Sequence, residues 1–134
     1  MGLFDFLFGK KKQAAPATYE DDEPVAQPFI SIEPDQVEEL RIGGARLIDV
    51  RSQGEYAGYH VEGAELLPVD QLRRNPGQYL PEDNLIFICE MGGRSAYASQ
   101  LAASLGHTHV YNVEGGMQAW LSAGLPVAKG LPKA

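Results

Sequence analysis

The sequence contains a single cysteine, Cys89, among its 134 residues. An internal disulfide, a cysteine-rich zinc site and a CxxC redox pair each require at least two thiols, so one cysteine excludes all three. A chain of about 130 residues also buries enough apolar surface to fold without such a crosslink. Cys89 is therefore either an inert buried thiol or a reactive one. A lone unpaired thiol fits a reducing, cytoplasmic location.

An excess of positive charge is also missing. The 11 Lys and Arg residues are outnumbered by 18 Asp and Glu residues, which leaves a net charge of −7. Residues 1–29 hold three lysines and five acids, and residues 30–134 hold eight bases and thirteen acids, so neither part conceals a basic region. Binding to nucleic-acid phosphates requires clustered Lys and Arg, and we expect no nucleic-acid partner.

Long apolar runs are absent near the N-terminus. Residues 3–8 are apolar except for Asp5, and three lysines follow them at positions 10–12. This run is too short to span a membrane, and its lysines stand on the wrong side for a secretory signal. Residues 1–9 thus form a short hydrophobic segment. Two interpretations of residues 1–12 stay open. They make weak contact with a membrane surface, which would place the protein at the membrane periphery, or they are a tail that is frayed or docks on its own domain.

The rest of the chain divides into a linker and one domain. Residues 10–29 combine three prolines with an acidic cluster at 20–23, a composition that predicts a flexible linker. In residues 30–134, helical spacing and stop signals predict helices over 31–42, 94–105 and 117–123, and apolar runs predict strands over 46–50, 66–69, 85–89 and 109–113. Short apolar strands separated by helices predict an α/β fold, with a central, mainly parallel sheet covered by helices on both faces.

Cys89 ends one of the predicted strands, where ligands bind in open α/β sheets. It is followed by a turn made of Glu90, Met91, Gly92, Gly93, Arg94 and Ser95. The two glycines allow the turn to direct N–H groups at the sulfur, and the next helix begins there, so negative charge on the sulfur is stabilised. Arg94 adds a cation, and Ser95 can cap the helix or donate to the sulfur. A cysteine that only packs needs no such turn, and we predict that Cys89 is catalytic and that the turn binds substrate.

The pattern C-x-x-G-x-R-S at residues 89–95 resembles the active-site loop of rhodanese-like sulfurtransferases. Three further segments agree in order and spacing: LIDVR at 47–51, EYAGYHVEGA at 55–64 and VEGGMQAWLSAGLPV at 113–127. The resemblance covers about residues 30–128, which leaves room for one copy of the domain. It implies a single rhodanese-like domain over residues 30–134.

The resemblance also implies a reaction. The Cys89 thiolate would take a sulfane sulfur from thiosulfate or a persulfide donor, hold it as a persulfide, and pass it to a thiol or cyanide, with no metal or cofactor. Because the chain has no second cysteine, the acceptor must be an external thiol or a cysteine of another protein. The related phosphatases and arsenate reductases place five residues between cysteine and arginine, whereas this loop has four. A non-catalytic binding module tethered by the N-terminal segment is the alternative.

Other matching positions have weaker implications. Asp49 can hold N–H groups of the loop and Arg51 can pair with a carboxylate near the site, and a purely structural ion pair is the alternative for each. Glu55 and His60 also match, and we expect them to brace the segment that follows rather than to transfer protons.

Two residues depart from the family pattern. Tyr59 occupies the usual place of a glycine before the histidine, where it can alter the turn or cover part of the pocket. Glu90 places a carboxylate directly after the nucleophile. A like charge a few ångström away would weaken the binding of the thiosulfate dianion by about 1 kcal/mol, so we expect a persulfide or protein donor.

Overall fold

The computed structural model of the chain describes residues 28–132. The predicted hydrophobic segment 1–9, the membrane contact of residues 1–12 and nearly all of the predicted linker lie outside the described residues. The elements, in chain order, are β1 (Ile30–Ile32), a 3-10 helix (Pro34–Gln36), α1 (Val37–Ile42), β2 (Arg46–Asp49), α2 (Gln53–Gly58), β3 (Glu65–Leu66), α3 (Val69–Leu72), α4 (Pro76–Tyr79), β4 (Leu85–Ile88), α5 (Gly93–Ser104), β5 (Val110–Val113) and α6 (Gly116–Ser122).

Within residues 28–132, five strands form one sheet in the order β1-β5-β4-β2-β3. Every pair of neighbouring strands is parallel, which confirms the predicted parallel sheet. The central strand β4 has all four residues buried, as expected for a strand that is covered on both faces. Cys89 directly follows β4 and so lies at the carboxyl edge of the middle of the sheet.

Two hydrophobic cores lie on opposite faces of the sheet, because successive strand residues point to opposite sides. Ile86 and Ile88 of β4 belong to the first core, whereas Leu85, Phe87 and Cys89 belong to the second. Helices α1, α2 and α6 contribute Val37, Tyr56, Met117 and Trp120 to the first core. Helices α3 and α5 contribute Leu72, Ala98 and Ala102 to the second. Helices therefore cover both faces, which confirms the predicted α/β architecture.

The structure differs from the sequence prediction in the short elements. The predicted helix over 31–42 was wrong at its start, because Ile30–Ile32 is an edge strand paired with β5 and the α-helix begins only at Val37. The predicted strand over 66–69 is shorter, since β3 ends at Leu66 and Val69 begins a helix. Strands of two or three residues are defined by their pairing partners and have no periodicity of their own.

In the part of the chain that the structure describes, no helix combines the length and the apolar character that crossing a bilayer requires.

Candidate active site

The loop after β4 curls around the Cys89 sulfur. The side chain of Cys89 is almost fully buried, and the Gly92 N–H donates to Sγ at 3.0 Å. Gly92 has a φ of 112°, a left-handed conformation that favours glycine, and it precedes the first turn of α5. Ser95 Oγ lies 3.2 Å from Sγ and donates to the Gly92 carbonyl oxygen at 3.2 Å. The Gly92 N–H thus donates to the sulfur directly, and the Ser95 hydroxyl lies close enough to donate to it after turning away from the Gly92 carbonyl.

A second glycine turn holds the start of this loop in place. The N–H groups of Met117 and Gln118, in the first turn of α6, donate to the carbonyl oxygens of Cys89 and Glu90 at 2.8 and 3.1 Å. Gly116 fits against these carbonyls only because it has no side chain: a Cβ there would overlap the Cys89 oxygen and lie 2.7 Å from the Glu90 oxygen. The paired glycines before α6, visible in the sequence, therefore allow the two segments to touch.

Asp49 and Arg51 form a buried ion pair beneath the loop. Neither side chain is more than 1% exposed, and the guanidinium meets the carboxylate through Nη2–Oδ2 at 2.8 Å and Nε–Oδ1 at 3.0 Å. The backbone N–H of Arg51 donates to the same carboxylate. Burial favours a lower pKa for Arg51, but hydrogen bonds and charges from Asp49 and Glu90 outweigh it and raise the pKa. Asp49 thus binds Arg51, while Arg51 extends to the Cys89 loop.

Glu90 is held by three donors. Arg51 Nη1 donates to one carboxylate oxygen at 3.1 Å, the Tyr59 hydroxyl donates to the other at 2.9 Å, and Gln118 Nε2 donates to the same oxygen as Tyr59. Burial alone would raise the pKa of Glu90, but hydrogen bonds from Gln118, Tyr59 and Arg51 lower it overall. The two departures from the family pattern therefore contact each other. From the sequence alone, Glu90 was a carboxylate without a known partner. The structure shows that Arg51 is its counter-ion.

Tyr59 is fixed from its other side as well. Its carbonyl oxygen accepts from Arg51 Nη2 at 2.6 Å, and the Arg51 guanidinium carbon lies 5.3 Å from the centre of the Tyr59 ring. Arg51 thus contacts both the backbone and the ring of Tyr59, while its Nη1 binds Glu90. Gln118 completes this cluster, and no motif in the sequence had marked it as a site residue.

Arg94 is paired with Glu55 at the rim of the loop. Both terminal nitrogens donate to the carboxylate, at 2.8 and 2.9 Å, and the side chains are 40% and 33% exposed. The hydrogen bonds from Arg94 lower the pKa of Glu55 to about 2, against the effect of burial, and Glu55 raises the pKa of Arg94. Glu55 also caps the start of α2 by accepting from the Ser52 N–H at 3.0 Å. Each terminal nitrogen of Arg94 therefore donates one N–H to a neighbouring carboxylate that is accessible to solvent.

The tip of the loop faces solvent. Met91 is 74% exposed, and Gly93 is exposed beside it. His60, in contrast, is buried, its Nδ1 lies 2.7 Å from the Tyr56 carbonyl oxygen, and its ring stacks on Tyr56 at 3.7 Å. Its backbone pairs with that of Ala128. The described contacts of His60 are thus those of a packed residue.

Among residues 28–132, no three His, Cys, Asp or Glu side chains are grouped closely enough to hold a metal ion.

Comparison with known proteins agrees with this arrangement. A family model described as "Rhodanese-like domain" matches residues 33–123. The human thiosulfate:glutathione sulfurtransferase is 38% identical over 96 residues, which cover 61% of this chain and 84% of that protein. A thiosulfate sulfurtransferase from Actinobacillus pleuropneumoniae is 33% identical over 104 residues, which cover 77% and 96% of the two chains. The crystal structure of a rhodanese-related protein from Thermoplasma volcanium superposes with a TM-score of 0.66 at 32% identity, covering 75% of this chain and 98% of that one. The chain therefore belongs to the rhodanese-like domain family.

Proposed function

We propose that the protein is a rhodanese-type sulfurtransferase in which Cys89 carries a sulfane sulfur between a donor and an external thiol. The observation that carries the proposal is the cradle of Cys89: its sulfur sits at the carboxyl end of the central strand, with the Gly92 N–H at 3.0 Å and the Ser95 hydroxyl at 3.2 Å. Two relatives of 38% and 33% identity are named as sulfurtransferases that use thiosulfate, which supports the same class of reaction.

The first step forms a persulfide on Cys89. The thiolate attacks the outer sulfur of thiosulfate, the S–S bond of the donor breaks, and sulfite leaves with the electron pair. A persulfide donor reacts in the same way and releases its parent thiol. The charge of the attacking thiolate leaves with sulfite, and the transferred sulfur keeps its own negative charge as the end of the persulfide. The Gly92 N–H and the Ser95 hydroxyl stabilise this anion near Sγ. Once the thiol proton has left, the Ser95 hydroxyl is free to rotate from the Gly92 carbonyl toward the sulfur.

The second step returns the free thiolate. An acceptor thiolate or cyanide attacks the terminal sulfur, and the Sγ–S bond breaks with its electrons returning to Cys89. Both steps balance with donor and acceptor alone, so the proposal includes no metal or cofactor. Because Cys89 is the sole cysteine of the chain, the acceptor is a small thiol or a cysteine of another protein.

The remaining site residues fall into two groups, those that contact the substrate in this proposal and those that position the loop. Glu90, Met91, Gly92, Gly93, Arg94 and Ser95 form the loop against which we place the substrate. In this proposal, Arg94 exchanges Glu55 for an oxyanion of the donor, which its exposed position permits. Asp49 and Arg51 are positioning residues, since Arg51 reaches the loop through Glu90.

Steady-state turnover tests the proposal. Purified full-length protein is assayed with thiosulfate or methanethiosulfonate as donor and with cyanide or a small thiol as acceptor. We expect ping-pong kinetics, because the donor product leaves before the acceptor binds, and we expect Cys89→Ser to be inactive. A folded wild-type protein that transfers sulfur from neither donor would refute the proposal and favour the non-catalytic binding module. Full turnover by Cys89→Ser would refute it as well.

A further inference from the structure

Among the residues that the structure describes, five ionised side chains are joined in ion pairs around the Cys89 loop and neutralise one another only in part. They are two guanidiniums and three carboxylates, namely Arg51, Arg94, Asp49, Glu55 and Glu90. The carboxylates exceed the guanidiniums by one, so this cluster has a net charge of −1, and the Cys89 thiolate brings it to −2. Each guanidinium is already bound to a carboxylate. An anionic donor therefore meets a negative site in which no guanidinium of the cluster is free.

Glu90 is the surplus carboxylate of this cluster. Asp49 already forms a two-point ion pair with Arg51 that is buried from solvent, and Arg94 has its own two-point pair with Glu55. Glu90 shares only one nitrogen of Arg51, and its other oxygen is bound by the neutral donors Tyr59 and Gln118.

The charge of Glu90 is also fixed in place. Its side chain is 25% exposed and accepts from Arg51, Tyr59 and Gln118, which hold the carboxylate in position. Its backbone directly follows the nucleophile. Tyr59 and Gln118 orient the carboxylate without neutralising it, because a phenol and an amide carry no charge. A donor that brings its own negative charge to Sγ therefore approaches a loop in which the residue next to the nucleophile carries a stationary negative charge, which screening by solvent weakens only in part.

We propose that Glu90, held by Tyr59 and Gln118, determines donor specificity by selecting sulfane-sulfur donors with a single negative charge, such as persulfides and thiosulfonates, over the thiosulfate dianion. This inference rests on the proposed function. The chemistry is the same for both classes of donor: with a thiosulfonate, Cys89 attacks the outer sulfur, the S–S bond breaks, and a sulfinate leaves with the electron pair.

Two donors of nearly the same shape isolate the charge. Methanethiosulfonate differs from thiosulfate by a methyl group in place of one oxygen, and so carries one negative charge in place of two. The readout is the ratio of kcat/KM for thiosulfate to kcat/KM for methanethiosulfonate, with cyanide as the common acceptor. We expect Glu90→Gln, which keeps the side-chain length and an oxygen for Tyr59, to raise kcat/KM for thiosulfate about fivefold, mainly through KM. The monoanion should gain less, so the ratio rises.

Two variants separate charge from structure. Glu39→Gln changes the net charge of the protein by the same amount at an exposed position on α1, and it should leave the ratio unchanged. Tyr59→Phe removes both hydrogen bonds of the Tyr59 hydroxyl, the one it donates to Glu90 and the one it accepts from Gln118. It keeps the Glu90 charge, which Arg51 and Gln118 still bind, so its ratio should stay near the wild-type value. A shift in Tyr59→Phe as large as that in Glu90→Gln would show that loop geometry discriminates between the donors, and would overturn the inference.

The dependence of the donor ratio on salt concentration provides a second test, on the unmodified protein. Because salt screens repulsion between like charges, raising the ionic strength should raise kcat/KM for thiosulfate relative to that for methanethiosulfonate. The opposite trend, or an unchanged ratio in Glu90→Gln, would overturn the inference while turnover still supports the sulfurtransferase. Absence of turnover with both donors would instead refute the proposed function.

Discussion

The two halves of the Cys89 loop are held in different ways. The first half, residues 89–90, is bound from below: its two carbonyl oxygens accept from the start of α6, and the Glu90 carboxylate is bound by Arg51. The second half, residues 91–94, forms the exposed tip, where Met91 is 74% exposed and Arg94 binds Glu55 at the surface. Each half thus contacts or contains one arginine bound to a carboxylate: Arg51 at the first half is buried, and Arg94 in the second half is open to solvent.

The difference separates the contacts that hold the start of the loop from the arginine contact that remains available to a substrate. A buried ion pair that loses one partner leaves an unsolvated charge, whereas an exposed pair loses little because water replaces the partner. Arg51 therefore stabilises the position of the loop, and Arg94 can exchange its partner at small cost in stability. The following variants test this distinction, from the largest expected effect to the smallest.

Removal of the buried guanidinium should have the largest effect. Arg51→Met leaves the Asp49 carboxylate without its counter-ion at a position with no solvent exposure. We expect the free energy of unfolding to fall by about 3–5 kcal/mol, measured by urea denaturation at pH 7. A loss as small as that of an exposed pair would contradict the structural role given to Arg51.

A side chain at Gly116 should also disturb the first half of the loop. The added Cβ of Gly116→Ala would overlap the Cys89 carbonyl oxygen, and the φ of 58° disfavours alanine. We expect a loss of about 2 kcal/mol or more in the free energy of unfolding, together with reduced turnover. Gly54→Ala is the matched control, because its Cβ meets no atom within 4 Å in α2, and it should stabilise the protein by about 0.5 kcal/mol. Equal effects of the two changes would contradict the close approach of the turn to the loop.

In the second half of the loop, a substitution of Arg94 should lower the activity and leave the stability almost unchanged. Arg94→Met removes an ion pair whose partners are 40% and 33% exposed, so the free energy of unfolding should change by about 1 kcal/mol or less. Loss of the charged donor should lower kcat/KM for thiosulfate about tenfold or more. Kinetics and urea denaturation on the same preparation check both expectations. Unchanged kcat/KM would remove Arg94 from the substrate-binding residues.

The smallest effect concerns the pH dependence of the Glu55–Arg94 pair. The pKa of Glu55 in the folded protein is about 2, below that of an unfolded glutamate, so the unfolded chain binds the proton first as the pH falls. The pair therefore stabilises the protein above pH 5 or so and loses this contribution as the pH falls toward 2. We expect Glu55→Gln to be about 1 kcal/mol less stable than wild type at pH 7, with the difference vanishing near pH 2. Parallel curves of stability against pH would contradict this assignment.

The sequence predicts the long elements of the fold better than the short ones. The apolar runs of β2, β4 and β5 and the Ala-rich helix α5 have local patterns and lie within one residue of the predicted bounds. The strands β1 and β3 have three and two residues, and their conformation depends on pairing with β5 and β2. Such pairing joins residues that are far apart in the chain, and no local signal marks it.

The same limit applies to the site. The loop around Cys89 is contiguous, so its glycines, arginine and serine could be assigned from a single motif. Tyr59 and Glu90 stood out only as separate departures from that motif. Their contact spans 31 positions, and the contact between Glu55 and Arg94 spans 39. These contacts depend on how α2 and the segment after it cross the loop, which only the three-dimensional fold determines.

The central claim, that Cys89 carries the transferred sulfur, is tested most directly by intact-protein mass spectrometry. The full-length protein is incubated with thiosulfate or methanethiosulfonate, separated from the donor and weighed before and after addition of cyanide. We predict a mass gain of one sulfur atom that cyanide removes and that Cys89→Ser does not show. A wild-type protein that gains no sulfur from either donor, or a Cys89→Ser variant that gains it equally, would contradict the claim.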